Sequence, residues 1–186
     1  MKKNYLITGI TGFAGAHLAN LLFNEGHTVY GLIRGSNGME TDILDTVSSK
    51  CFNAIRFVYG DLNDLAILET IFTLNKFDGV FHLAAQSHPP TSLAHPLNTF
   101  HVNITGTANL IEVIANLQPK CKLMFCSTSE VYGNSGKDGG LLKETDMLAP
   151  SNPYAVSKAA SDLYMQERMT NGKIKGFITR HLAIPG

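Results

Sequence analysis

A short apolar run, Tyr5-Leu6-Ile7, breaks into Thr8-Gly9-Ile10-Thr11-Gly12-Phe13-Ala14-Gly15 and then continues as the amphipathic stretch Ala16 to Phe23. The pattern predicts a strand, a glycine turn and a helix, and it narrows the architecture more than any other stretch of the chain. Each glycine has a use in that order. Gly9 permits the tight turn, Gly12 lets backbone N–H groups approach a pyrophosphate, and Gly15 lets the helix pack close to the strand. A bare glycine-rich turn lacks the flanking strand and helix. With both present, the motif points to a dinucleotide held by Gly9, Thr11, Gly12, Phe13, Ala14 and Gly15.

The rest of the chain keeps the same alternation. Thr28 to Ile33, Ile55 to Tyr59, Phe77 to Ala85, Lys122 to Cys126 and Ile174 to Thr179 read as strands. Helices are expected from a cap at Asn63 through Thr73, after Pro96, and from Pro153 onward. Gly35 to Asn53 reads as a loop with a helical turn near Asp42–Val47, and Asn134 to Pro150 as a hydrophilic loop. Every strand but the last is followed by a helix, which predicts an α/β fold: a doubly wound parallel sheet of Rossmann type, order 3-2-1-4-5-6, with crossovers on both faces. A chain of 186 residues with 44% hydrophobic and 16% charged residues can bury one sizeable core, so residues 1–186 are expected to form one NAD(P)-binding domain.

In such a sheet, ligands sit at the carboxyl ends of the strands. The second strand ends in Ile33-Arg34, where an NAD site would carry a carboxylate for the ribose 2′-hydroxyl; a guanidinium there favours a 2′-phosphate, hence NADP over NAD. Asp61 and Leu62 follow the third strand, and Asp61 can reach an adenine or cap a helix. Leu83, Ala84, Ala85, Gln86 and Ser87 follow the fourth strand, with small residues that allow a cofactor close approach. The polar, proline-marked loop Gln86–Ser92 suits substrate contacts through Ser87 and His88. The fifth strand ends in Ser127-Thr128-Ser129-Glu130, on the same edge. Tyr154 and Lys158 stand one helical turn apart behind Pro153, so a phenol and an ammonium share one face. A nearby cation favours the phenolate and lowers its pKa.

Fifteen basic residues balance fifteen acidic ones, so neither a nucleic-acid track nor an anionic membrane surface is indicated. The apolar run after Lys2 and Lys3 is broken too early for a signal peptide, and no stretch approaches the ~20 apolar residues of a membrane helix. Three cysteines, Cys51, Cys121 and Cys126, fit free thiols in a reducing cytoplasm. His82, His88, His95 and His101 have no partners at ligand spacing, so no metal site is expected.

Four stretches, Thr8–Gly15, His82–Ser87, Ser127–Gly133 and Tyr154–Lys158, together resemble the extended short-chain dehydrogenase/reductases, the nucleotide-sugar epimerase/dehydratase group, over the whole chain. Within the group the chain looks most like GDP-mannose 4,6-dehydratases, which use NADP, with GDP-4-keto-6-deoxymannose reductases next. The resemblance implies that Tyr154 deprotonates the sugar C4 hydroxyl as hydride leaves C4, while Lys158 holds the nicotinamide ribose and lowers the phenol pKa. Thr128 would hydrogen-bond the C4 oxygen and the phenol. Glu130 would remove the C5 proton, the C6 hydroxyl would leave, and hydride would return to C6. Ser129, where other 4,6-dehydratases carry aspartic acid, joins Ser87, His88, Thr128 and Glu130 as substrate contacts. Helices after Pro96 and Pro153 pack between subunits in the family, which implies a homo-oligomer.

The resemblance also has departures. Family members continue for well over a hundred residues, so the substrate-binding part is expected to be largely missing, by truncation, fragmentation or a frameshifted end. The run Arg180 to Gly186 lacks the family's asparagine and reverses its Gly-Pro, and Asn98 replaces an aromatic residue. A 4-reductase or epimerase on the same scaffold, or a non-catalytic NADP-binding module, are the other readings.

Overall fold

Strand β1 (Asn4–Thr8) lies inside the sheet, and its side chains alternate between two buried faces: Leu6 points to one core and Ile7 to the other. A strand covered on both faces must be apolar at nearly every position, which is why Tyr5-Leu6-Ile7 reads as a continuous run. The computed structural model describes residues 1–35, 43–135 and 141–181. Around β1 are ranged α1 (Phe13–Asn24), β2 (Thr28–Ile33), α2 (Ser49–Ala54), β3 (Arg56–Tyr59), α3 (Leu65–Leu74) and β4 (Gly79–His82). The second half runs through α4 (Pro89–Ala94), α5 (Pro96–Phe100), a π-helical turn (His101–Thr105), α6 (Gly106–Leu117), β5 (Lys122–Cys126), a 3₁₀ turn (Ser129–Tyr132), α7 (Pro153–Thr170) and β6 (Lys175–Thr179).

The six strands are parallel and lie in the order β3-β2-β1-β4-β5-β6, as the alternation of strands and helices predicts. Thr8, the last residue of β1, is level with Leu32 on one side and His82 on the other, so the ends of the central strands form one edge. One face of the sheet is packed by α3, α6 and α7 through Leu68, Phe72, Leu110, Ile114 and Met165. The other is packed by α1 and α2 through Ala16, Ala19, Leu22 and Cys51. Full burial of each large apolar side chain contributes roughly 1.5–3 kcal/mol, and these two layers hold the strand ends in place. No helix of the described residues is long and apolar enough to cross a membrane.

Three local readings change. Asp64, not Asn63, caps α3, accepting from the Ile67 N–H at 3.1 Å. Asn63 is already committed to a turn in which its N–H donates to Asp61 Oδ1 at 2.8 Å. The loop expected over Gln86–Ser92 ends in α4, because Pro89 and Pro90 occupy a first helical turn that needs no N–H donors. The helix expected after Pro96 contains a π-helical turn, a wide step often found at functional sites. Of the segment Gly35–Asn53, residues 36–42 lie outside the described residues; the expected turn is present from Ile43, whose carbonyl accepts from the Thr46 and Val47 N–H groups at 3.0 Å, and α2, capped by Ser48, follows it.

Candidate active site

A cleft of about 420 Å³ opens along the carboxyl ends of β1 to β4. Gly9, Thr11, Gly12, Arg34, Asp61, Leu62, Leu83, Ala84, Ala85, Gln86 and Ser87, all expected on a cofactor, line it. Asn98 and Val102 complete its wall. Phe13, Ala14, Gly15, Tyr154 and Lys158 are not among its lining. Phe13 and Ala14 are exposed on the first turn of α1, with the Phe13 ring 4.6 Å from that of His17. Gly15 lies beneath the turn, where a Cβ would run into the Gly9 carbonyl oxygen.

The cleft fits a dinucleotide. Gly9 adopts a φ of 74°, open to glycine and costly for other residues, and a Cβ there would stand 2.8 Å from the Ala84 nitrogen. Gly12 caps α1 without a side chain, and no acidic residue occupies the first turn, so the N–H groups and the positive end of the helix dipole are left for an anion. The volume falls within the range of small-molecule sites. Asp61 borders the cleft, and its Oδ1 accepts from the Asn63 N–H and side chain in a turn; the helix-capping reading of Asp61 does not hold, because Asp64 caps α3.

Tyr154 and Lys158 are both buried on one face of α7, one turn apart. Asn152 caps this helix through Oδ1, which accepts from the Ala155 N–H at 2.8 Å, and its Nδ2 donates to Glu130 Oε2 at 2.9 Å. A single side chain thus ties the start of α7 to the turn carrying Thr128 and Glu130. Thr128 Oγ1 accepts from the Glu130 N–H at 3.2 Å. Ser129 donates its N–H to the His181 carbonyl at 2.9 Å, which anchors the same turn to the end of β6. Ser87 and His88 are exposed, and His88 Nδ1 pairs with Thr91 Oγ1 at 2.9 Å.

The electrostatics depart from the expectation that Lys158 lowers the phenol pKa. Burial pushes the Tyr154 phenol above its ordinary value of 10; a hydrogen bond with Thr128 pulls it back, while Glu130 and Cys126 raise it further. The Lys158 ammonium lies 4.3 Å from the centre of the Phe125 ring, a cation over an aromatic face, and burial pushes its pKa down to about 8. The spacing of the pair is as expected, but burial and neighbouring acids dominate the phenol.

The His82 ring stacks with that of Phe125, the centroids 5.6 Å apart. Its Nδ1 is 2.7 Å from Thr8 Oγ1 and its Nε2 2.9 Å from Thr107 Oγ1, which joins β1, β4 and α6 directly under the cleft. Burial and the Lys158 charge push its pKa from 6.5 to about 3. A histidine that stays neutral when folded but protonates when unfolded makes stability rise with pH between those two values. Unfolding free energy is expected to fall by up to ~1.4 kcal/mol per pH unit as pH drops from 6.5 towards 4. Urea midpoints at several pH values read this directly, and equal midpoints across the window would show that His82 protonates freely in the fold.

Sequence reasoning passed over several of these residues. Asn103, in the π-helical turn, accepts from the Gln86 N–H at 2.7 Å, donates to the Gln86 carbonyl at 3.0 Å and donates to Ser157 Oγ at 2.9 Å. Asp162, one turn beyond Lys158, is fully buried against Arg180. Asn152 had a local signal, an Asn-Pro pair ahead of a helix, and Asn103 lies in the polar stretch after Pro96; Asp162 had none. Cys51 and Cys121 are buried free thiols and Cys126 is a half-buried one. Among the described residues, no group of three His, Cys, Asp or Glu side chains is arranged to hold a metal.

A glycine turn on the central strand of this sheet and a Tyr-x-x-x-Lys pair on α7 make the chain an extended short-chain dehydrogenase/reductase with an NAD(P)-binding Rossmann fold. The family model described as GDP-mannose 4,6 dehydratase matches residues 6–181, and the chain belongs to that family. The chain is 39% identical over 158 residues to the GDP-mannose 4,6-dehydratase sdnI of Sordaria araneosa, covering 84% of this chain and 28% of that protein. It is 31% identical over 189 residues to the dTDP-D-glucose 4,6-dehydratase of Homo sapiens, covering 99% of this chain and 51% of that one. Among solved structures, the UDP-glucose 4-epimerase of Thermus thermophilus in complex with NAD superimposes with a TM-score of 0.81 at 30% identity, covering 95% of this chain and 54% of the epimerase. The chain therefore spans about half the length, or less, of these relatives. Family members are nucleotide-sugar dehydratases and epimerases that depend on NAD(P).

Proposed function

We propose that residues 1–186 form the cofactor-binding domain of an NADP-dependent nucleotide-sugar 4,6-dehydratase that converts GDP-mannose to GDP-4-keto-6-deoxymannose in the cytoplasm. The observation that supports this reading is the bond of Asn152 to Glu130, which ties the start of the Tyr154 helix to the turn carrying Thr128 and Glu130 and so gathers a hydroxyl, a carboxylate and a phenol.

The cleft residues from Gly9 to Gly12 and from Leu83 to Ser87 hold the dinucleotide, with Phe13, Ala14 and Gly15 shaping the turn, and Asp61 and Leu62 towards the adenine end. A nicotinamide held there supplies a hydride acceptor and donor. Tyr154 takes the proton from the sugar C4 hydroxyl, and Thr128 hydrogen-bonds both the C4 oxygen and the phenol. The phenol is protonated at neutral pH in the free chain. Lys158, whose charge is largely present below about pH 8, would hold the nicotinamide ribose. Glu130 then removes the C5 proton, which a C4 carbonyl acidifies, the C6 hydroxyl leaves as water, and the hydride taken from C4 would return to C6. Ser129, Ser87 and His88 contact the sugar. The sugar nucleotide needs further surface than this chain provides, because the relatives are about twice as long or longer.

Incubation of the complete enzyme, this domain together with its substrate-binding part, with GDP-mannose, dTDP-glucose and UDP-glucose tests the substrate assignment, with formation of a 4-keto-6-deoxy product from GDP-mannose as the expected result. A 4-epimer without net cofactor reduction would favour the second reading, an epimerase, which the likeness to the UDP-glucose 4-epimerase supports. No turnover alongside tight dinucleotide binding would support a non-catalytic NADP-binding module.

Arg34 borders the cleft at the tip of β2 and supports NADP over NAD. Arg34→Ala is expected to weaken NADP binding by roughly 1.5–3 kcal/mol, a charge-assisted contact, and to leave NAD binding nearly unchanged. Calorimetry with both dinucleotides checks it, and equal affinities in the unsubstituted chain would sink the assignment. Exposed Leu93 and Leu97 on α4 and α5 and Val156 and Leu163 on α7 support a second copy of the chain as partner; a monomeric mass by light scattering would count against it.

A further inference from the structure

Tyr154 is the second residue of α7, where the helix itself supplies no acceptor for the backbone N–H. The capping side chain of Asn152 is spent on Ala155. A buried N–H without water needs a protein partner. That partner is Ser92 Oγ, 3.1 Å away, on α4 and 62 residues earlier in the chain. Ser92 is wholly buried and donates its own proton to the Pro89 carbonyl at 2.7 Å, which leaves a lone pair for Tyr154. On the opposite side, the Tyr154 carbonyl accepts from Ser157 Oγ at 2.7 Å, and Asn103 holds Ser157. The peptide of Tyr154 is gripped from both sides, while the phenol beyond it has a hydrogen bond with Thr128.

We propose that Ser92 is a positioning residue: by accepting the Tyr154 N–H it fixes the first turn of α7, and the phenol with it, to the helix that continues the cleft wall from Gln86 and Ser87. The inference rests on Tyr154 being the proton-transfer group. Ordinary helix capping does not account for the contact, because the acceptor comes from another element and the cap is already filled by Asn152.

The test labels the six tyrosines with carbon-13 at Cζ and follows the full chain by NMR, with Tyr154→Phe assigning the Tyr154 resonance. Ser92→Ala is expected to move and broaden that resonance and to lower kcat by roughly 10- to 100-fold with KM changed less than about threefold, as misplacement of a catalytic group does. Ser92→Thr, which keeps the hydroxyl, is expected to restore the resonance and most of kcat. Ser161→Ala, which removes another buried hydroxyl of α7, is expected to leave the resonance in place. A resonance unmoved in a folded Ser92→Ala protein overturns the proposal, as does the same change in Ser92→Thr or in Ser161→Ala. The NMR readings need no turnover. If Tyr154→Phe retains full dehydratase activity while Ser92→Ala still moves the resonance, the proton-transfer reading fails and the positioning of Tyr154 by Ser92 stands.

Discussion

Tyr154→Phe is expected to lower kcat for sugar-nucleotide dehydration by roughly 10²- to 10⁴-fold, the span that general acid–base catalysis contributes. The substitution is clean because it removes one oxygen from a buried ring. Asn152 still caps α7, and Thr128 Oγ1 still accepts from the Glu130 N–H. The phenol does not line the dinucleotide cleft, so NADP affinity is expected to stay within about threefold of the parent, a difference under ~0.7 kcal/mol. The pH profile carries a further check. The phenol pKa lies above its ordinary value, so a base at this position makes activity rise with pH on the alkaline side, and the phenylalanine protein must lose that limb. Initial rates for both proteins across pH decide the matter. An unchanged kcat with an unchanged profile would remove Tyr154 from the chemistry.

The second large effect is on stability. Arg180 places Nε 2.8 Å from Asp162 Oδ2 and Nη2 3.0 Å from Oδ1, a two-pronged pair whose carboxylate is entirely buried. Nη1 also donates to the Tyr132 hydroxyl at 2.7 Å and to the Glu144 carbonyl at 3.0 Å. Burial alone would raise the Asp162 pKa, but the hydrogen bonds from Arg180 and Gln166 outweigh it and hold the carboxyl below its ordinary value. Arg180→Ala leaves that charge without its partner, and such a loss typically costs 3–5 kcal/mol. An unfolding free energy lower by about 3 kcal/mol or more is expected, together with loosening of the Ser129–Tyr132 turn. The double substitution Asp162→Leu/Arg180→Met removes both charges, and most of the stability is expected to return. Denaturant curves for the single and double proteins check this. A single substitution costing less than about 1 kcal/mol would mean that water already reaches the pair.

The same contacts show where reading the sequence stops. The strands of the sheet and their order were legible because residues like Leu6 and Ile7 must both be apolar when both faces are covered, and because parallel strands need helical crossovers. The cleft-lining residues were legible because turns at strand ends carry recognisable glycines and small side chains. Phe125 beneath Lys158 was not, since the spacing of Tyr154 and Lys158 along α7 says nothing of a ring supplied by β5. The bond from Tyr154 to Ser92 and the Arg180–Asp162 pair join elements far apart in the chain, and no local pattern marks them. The roles of Thr128, Glu130, Tyr154 and Lys158 came from resemblance, and geometry adds that Asn152 is what brings the first two to α7. The run 182–186, where the sequence departs most from the family, lies outside the described residues.

The crossing of the sheet between β1 and β4 bears on how such a chain folds. β1 pairs with β4 as well as with β2, and the contact of Thr8 with His82 spans 74 residues of chain. Parallel pairing at that separation carries the loop-closure entropy of everything between, so it forms late relative to local helices. The glycine turn has no opposite wall until then, because the backbone of Ala84 stands against Gly9. A growing polypeptide ending short of Ser87 has the whole motif in its sequence and nowhere for a dinucleotide to lodge. Ligand binding is therefore tied to completed folding, and each bound molecule draws the folding equilibrium towards the native sheet.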